Sequence, residues 1–139
     1  MRRGLGRGRT LIAIGAVLAT CSMPLAWLRV GGVVLAAKTA SGFEGAGVFM
    51  FLAAVGMLAL VVSPYATRSR SFVLDRPLVY LALLLVGLAG LGSEALRLLA
   101  TEGSSVAPSD APGLWLAIAG MAVATWGVLE CFAERPGAP

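Results

Sequence analysis

The sequence predicts an all-α membrane protein: a four-transmembrane-helix bundle with a small extracytoplasmic hairpin between helices 1 and 2. Three observations carry that reading. Four stretches, Thr10 to Leu28, Gly45 to Val62, Pro77 to Ser93 and Gly113 to Leu129, hold no charged residue, and each runs for 17 to 19 residues. A helix rising about 1.5 Å per residue needs roughly 20 residues to cross a hydrocarbon layer of about 30 Å. The 139 residues are 58% hydrophobic and 13% charged, with a mean hydropathy of +0.88, which leaves too little polar surface to solvate a globular domain of this size. Finally, the arginines collect in alternate loops, as they do when a chain is threaded through a bilayer.

With their flanks the spans fall at about 10–28, 45–64, 77–99 and 113–132, in one domain, and residues 133–139, rich in Pro and Gly, are expected to form a disordered tail. What remains is a short basic N-terminus and three loops, none with room for a separate core.

Orientation follows from the basic residues, because Lys and Arg in short loops are retained in the cytoplasm. An N-terminus inside places eight of them there: Arg2, Arg3, Arg7, Arg9, Arg68, Arg70, Arg76 and Arg135. Three fall on the other face, Arg29, Lys38 and Arg97, where Glu44, Glu94, Glu102 and Asp110 leave an acidic balance. Four spans also return the C-terminus to the inside. The expected location is the bacterial plasma membrane, with both termini cytoplasmic. A pI near 9.8 raises nucleic acid as a partner, but no loop carries a long basic run, so the expected partners are the lipid bilayer and other membrane subunits.

Span 1 admits a second reading. A basic leader followed by Leu11 to Ala19 resembles a secretory signal, and Leu18-Ala19-Thr20-Cys21 approaches a lipoprotein cleavage box. Thr20 stands where Gly, Ala or Ser is wanted, and the apolar run continues through Met23, Leu25, Trp27 and Leu28, which favours a retained span. Pro24 kinks or ends that helix near Met23. Beyond it, Leu25 to Val30 and Val33 to Ala37 flank Gly31-Gly32 and read as two arms of a hairpin, with Ser41-Gly42 marking the entry to span 2; an interfacial helix is the rival. Trp27 is expected to be a belt aromatic with its indole N–H in the wet zone.

Small residues recur at helix-packing spacing, Gly15 with Ala19, Ala53 with Met57 around Gly56, Ala89 with Ser93 around Gly90 and Gly92, and Gly120 with Ala124. Such faces let backbones approach and hold the bundle together, or dock a partner helix.

The spans are read as carrying no buried ionisable group, whereas charges deep in a bilayer usually mark ion paths or substrate sites. Glu94, just past the third stretch, is expected to pair with Arg97 three residues on at the outer interface; the functional alternative is a cation site. Small multidrug-resistance exporters share the topology but carry an essential carboxylate in the first span, where this chain has none. There is no histidine, which removes bis-histidine haem and the commonest metal ligand. Cys21 and Cys131 lie too far apart to pair and are expected to be buried packing residues. The loop from Tyr65 to Arg76 is expected to anchor on anionic headgroups, and the loop from Ala100 to Pro112 to be mobile.

The Trp27-Leu28-Arg29-Val30 segment after span 1, followed by Ser41-Gly42-Phe43-Glu44-Gly45, resembles uncharacterised small four-span membrane proteins of bacteria. That resemblance covers about the first half of the chain and implies topology and a plasma-membrane location, with no catalytic residues to carry over.

The chain is therefore read as no enzyme, with no catalytic residues, no metal site and no cofactor. Candidate interaction or interface residues are Trp27, Arg29, Glu94, Arg97 and Trp115. The expected function is that of an accessory or assembly subunit of a larger membrane complex. The alternative is a small transporter or channel component acting as a homo-oligomer.

Overall fold

The computed structural model describes residues 6–30, 38–66, 77–100, 104–105, 107 and 109–134. Four helices, α1 (Arg7–Ser22), α2 (Gly47–Ala66), α3 (Pro77–Leu99) and α4 (Pro112–Ala133), carry a small sheet of β1 (Ala26–Val30), β2 (Lys38–Ser41) and β3 (Ser104–Ser105). The helices α2, α3 and α4, with 20, 23 and 22 residues, are long and apolar enough to cross a membrane. At about 1.5 Å per residue they measure about 30 to 35 Å.

The 16-residue α1 is shorter than the expected span of 10–28. It begins three residues earlier, at Arg7, and ends at Ser22, two residues before Pro24. The last turn tightens, with Met23 N–H donating to Thr20 O and Leu25 N–H to Ser22 O, so the chain leaves the helix before the imide that cannot extend it. Leu25 is a bend and Ala26 to Leu28 are strand, not helix.

In the sheet, ordered β2-β1-β3, β1 pairs antiparallel with both neighbours. Ala26 faces Ser41 while Leu28 faces Ala40, so Trp27 is an extra residue in β1, a bulge. Strict alternation would turn Trp27 and Leu28 to opposite faces; the bulge lets both be buried. The expected second arm, Val33 to Ala37, lies outside the described residues, as does most of the loop from Tyr65 to Arg76. The strand that pairs with β1 is Lys38–Ser41, which ends on the Ser41 expected to mark the entry to span 2. Ser104 and Ser105, in the loop expected to be mobile, supply the third strand. Glu134 extends the described chain one residue past α4, and 135–139 lie outside it.

The closest helix pair is α1 with α4. A Cβ at Gly15 would meet Gly120 O and Ala124 N at 2.5 Å, one at Gly120 would meet Ala19 N at 2.7 Å, and one at Gly127 would meet Gly8 O at 2.7 Å. The order runs antiparallel, and Gly8, Ile12, Gly15, Ala19 and Ser22 repeat at alternating spacings of four and three along the buried face of α1. Buried Gly113, Ala117, Gly120, Ala124 and Gly127 answer with the same rhythm on α4. That rhythm is the seam along which the two helices pack, and glycine backbone takes the place of side-chain knobs.

The helices α2 and α3 are also antiparallel, with Gly90 against Ala46 and Met50, Gly87 against Ala53, and Gly56 against Leu83. Met121 of α4 reaches Gly87, closing the bundle around Ile12, Met50, Met57, Leu84, Met121 and Val128. Outward, large apolar side chains stay exposed on every helix, among them Ile14, Leu52, Leu85 and Leu129. The ends of the described chain lie together: Glu134 Oε1 accepts from Gly8 N–H at 3.4 Å, and Glu130 Oε1 lies 3.9 Å from Arg7 Nε.

Candidate functional site

At the end of the bundle that carries the sheet of β1, β2 and β3, hereafter the ribbon, four of the five candidate residues enter two polar knots and an ion pair. The first knot centres on Glu94. The helix α3 continues past the uncharged stretch to Leu99, and its buried face repeats as Gly87, Leu91, Glu94 and Leu98, so Glu94 shares the stripe that packs inward. It is 3% exposed. The expectation of no buried charge within a span is thereby corrected: the apolar run was cut at Ser93, but the helix and its inward face were not.

Both oxygens of the Glu94 carboxylate are engaged. Oε2 accepts the Ala46 backbone N–H at 2.9 Å, and Oε1 lies 3.3 Å from Arg97 Nη2. The pairing with Arg97 read from the i,i+3 spacing is present, but only its arginine end is exposed, at 60% against 4% for the glutamate side chain. Gly45 makes the approach possible. Its φ of +82° belongs to the left-handed region, and any Cβ there would sit 2.5 Å from Glu94 Oε2 and 2.9 Å from Arg97 Nη1. Sequence reasoning missed Gly45 and Ala46. The available signal was the Gly45-Ala46-Gly47 run just ahead of α2, which has no side-chain capping residue of its own.

The second knot centres on Trp27, which is 1% exposed and donates its indole N–H to Ser22 O at 2.9 Å. This overturns the expected belt position: the bulge in β1 turns the ring inward, and the indole N–H is a second donor to Ser22 O, the carbonyl at the C-terminus of α1 that also accepts Leu25 N–H. Gly42 N–H donates to Met23 O at 3.1 Å and caps the same end. The ring lies between two glycines; a Cβ at Gly42 would meet Trp27 Cε2 at 2.6 Å, and one at Gly113 would meet Cδ1 at the same distance. One side chain thus joins α1, the 42–46 turn and the first turn of α4.

Arg29 Nη1 lies 3.9 Å from Asp110 Oδ1, an exposed pair that ties β1 to the approach to α4. Trp115 is exposed on the first turn of α4.

The remaining expectations divide. Gly15, Ala19, Gly120 and Ala124 pack within the bundle, as does Gly90, whereas Ala89, Gly92 and Ser93 face outward. Cys21 is exposed and Cys131 half-buried, which corrects the reading of both as buried: Cys21 falls on the side of α1 away from the Gly15 and Ala19 seam. Cys131 lies beside Gly8, at the opposite end of α1 from Cys21. Among the described residues, no three His, Cys, Asp or Glu side chains group so as to hold a metal ion.

Chemically, the arrangement at this end binds backbone to backbone. Among the described residues its one buried carboxylate, Glu94, faces an amide N–H and a guanidinium of the same chain. No protein-family model, curated protein or solved structure matches the chain.

Proposed function

We propose that this chain is a non-catalytic integral membrane protein of the bacterial plasma membrane, serving as an accessory or assembly subunit of a larger membrane complex. The observation that carries the reading is the engagement of Glu94. A carboxylate buried in an apolar bundle is the usual mark of an ion or substrate path, but here both oxygens are committed to Ala46 and Arg97. The rest of the interior is mainly glycine, alanine, methionine and branched aliphatic side chains, with Trp27, Tyr80 and Ser22 as its other polar members.

In this reading α1 is the fourth span. It follows α4 from Gly8 beside Gly127 to Ala19 beside Gly120, and Trp27 continues the contact to Gly113. The segment from α1 to Trp27 therefore keeps pace with a helix long enough to cross the membrane. Cleavage ahead of Cys21 would remove the partner against which Gly120, Ala124 and Gly127 are buried, which favours retention over lipidation. The basic-residue bias places the termini in the cytoplasm and the ribbon outside.

Purification in mild detergent tests the function. An accessory subunit co-purifies with unrelated membrane proteins at fixed stoichiometry. A homo-oligomer with measurable solute flux would establish the transporter or channel reading instead.

A further inference from the structure

At the end of the bundle opposite the ribbon, the last turns of α4 form a shallow groove of about 230 Å³ lined by Trp126, Leu129, Glu130 and Ala133. These positions stand at i, i+3, i+4 and i+7 and so share one helix face. Trp126 and Leu129 are exposed, at 60% and 62%, and form an apolar wall. Trp126 Nε1 donates to Glu130 Oε1 at 3.2 Å, which holds the carboxylate at the edge of the indole. Arg7 Nε lies 3.9 Å from the same oxygen, with its side chain 76% exposed. The neighbouring acid, Glu134, accepts Gly8 N–H through its Oε1.

We infer that this groove binds a phospholipid whose headgroup carries a primary ammonium beside its phosphate, the chemistry of phosphatidylethanolamine. The inference rests on the membrane-embedded reading above. The ammonium donates to Glu130 and lies against the Trp126 ring, where carboxylate and π-face both favour a cation. The phosphate meets the exposed guanidinium of Arg7. The acyl chains follow Leu129 and Trp126 along α4. An anionic headgroup without the ammonium would bring its negative charge to Glu130 with only the exposed Arg7 to offset both. A quaternary ammonium would satisfy the ring but has no N–H for the carboxylate.

The test reconstitutes the full chain in vesicles with Trp115→Phe as background, so that Trp126 is the exposed indole while Trp27 stays buried. Acyl chains bearing bromine quench a tryptophan they touch, and they are presented on ethanolamine, choline or glycerol phospholipids at equal fraction. The expected result is about threefold higher occupancy for the ethanolamine lipid, the size of a partly exposed ion pair. Glu130→Gln, which keeps an acceptor for Trp126, should bring the three to parity with the circular dichroism spectrum unchanged. Arg7→Gln, which also releases Glu130 from its contact with Arg7, should lower all three without reordering them. Equal quenching by all three headgroups in the parent, a preference for the glycerol lipid, or an ethanolamine preference that survives Glu130→Gln would overturn the assignment while leaving membrane embedding intact. Absence of quenching by every brominated lipid would instead overturn the membrane reading.

Discussion

Glu94, on α3, accepts the backbone N–H of Ala46 at 2.9 Å, immediately before α2 begins at Gly47. In a capping box, a glutamate three residues into a helix reaches back to the N–H of its own cap residue. Here that position is Phe49, whose N–H donates to Ala46 O. A carboxylate from a different helix does the work instead, and its negative charge faces the positive end of the α2 dipole. The geometry fixes the level of α3 against α2 at the ribbon end.

Gly45→Ala should destabilise the protein by about 1 to 3 kcal/mol, because it adds a left-handed strain to a Cβ placed 2.5 Å from Glu94 Oε2. Thermal unfolding in detergent measures it. Gly92→Ala provides the control, since nothing lies within 4 Å of a Cβ there, and should leave the midpoint near the parent value.

Gly120→Leu should prevent α1 from docking on α4, since its first side-chain atom would already lie 2.7 Å from Ala19 N and 2.8 Å from Gly15 O. Backbone cannot yield as a flexible side chain does, and overpacking costs about 1 to 3 kcal/mol even where side chains can move. A lower unfolding midpoint in detergent reports the separation.

Trp27→Phe removes the hydrogen bond to Ser22 O and should cost about 1 kcal/mol, whereas Trp27→Ala also opens a cavity and should cost about 3 to 5 kcal/mol. Near-ultraviolet circular dichroism and unfolding midpoints separate the two. A belt tryptophan would show neither loss.

The sequence made the helices legible because uncharged runs of spanning length have few other uses in a chain this apolar. Pro24 likewise marked the end of α1, and Gly15, Ala19, Gly120 and Ala124 marked its contact with α4. The positions of Glu94 and Trp27 were not legible. Charge alone ended the third stretch at Ser93, but burial follows the 3.6-residue period, which carries Glu94 onto the same face as Gly87 and Leu91. Trp27 turns inward because of a bulge, and a bulge depends on pairing with Ser41 and Ala40, more than ten residues away. The strand Ser104–Ser105 is too short for any periodicity to announce it.

Reporter domains fused after Arg135 and inserted within the segment from Ala100 to Pro112 should read cytoplasmic and external, respectively. Eight basic residues against three set that expectation. An external reading after Arg135 would leave three spans, and mass spectrometry of the mature chain would then show whether Cys21 has become the first residue.

Glu94→Gln, measured for stability, assembly and solute flux together, separates a structural carboxylate from a cation site most directly. An amide at this position can still accept the Ala46 N–H but loses the charge facing Arg97. Because the Arg97 end is exposed, the expected cost is about 1 to 2 kcal/mol, with a lower unfolding midpoint, partial loss of co-purifying subunits and no separate effect on any flux. A Glu94→Gln protein that is as stable and as fully assembled as the parent, yet has lost a solute flux the parent carries, would contradict the structural role and place a transport pathway at the ribbon end of α3.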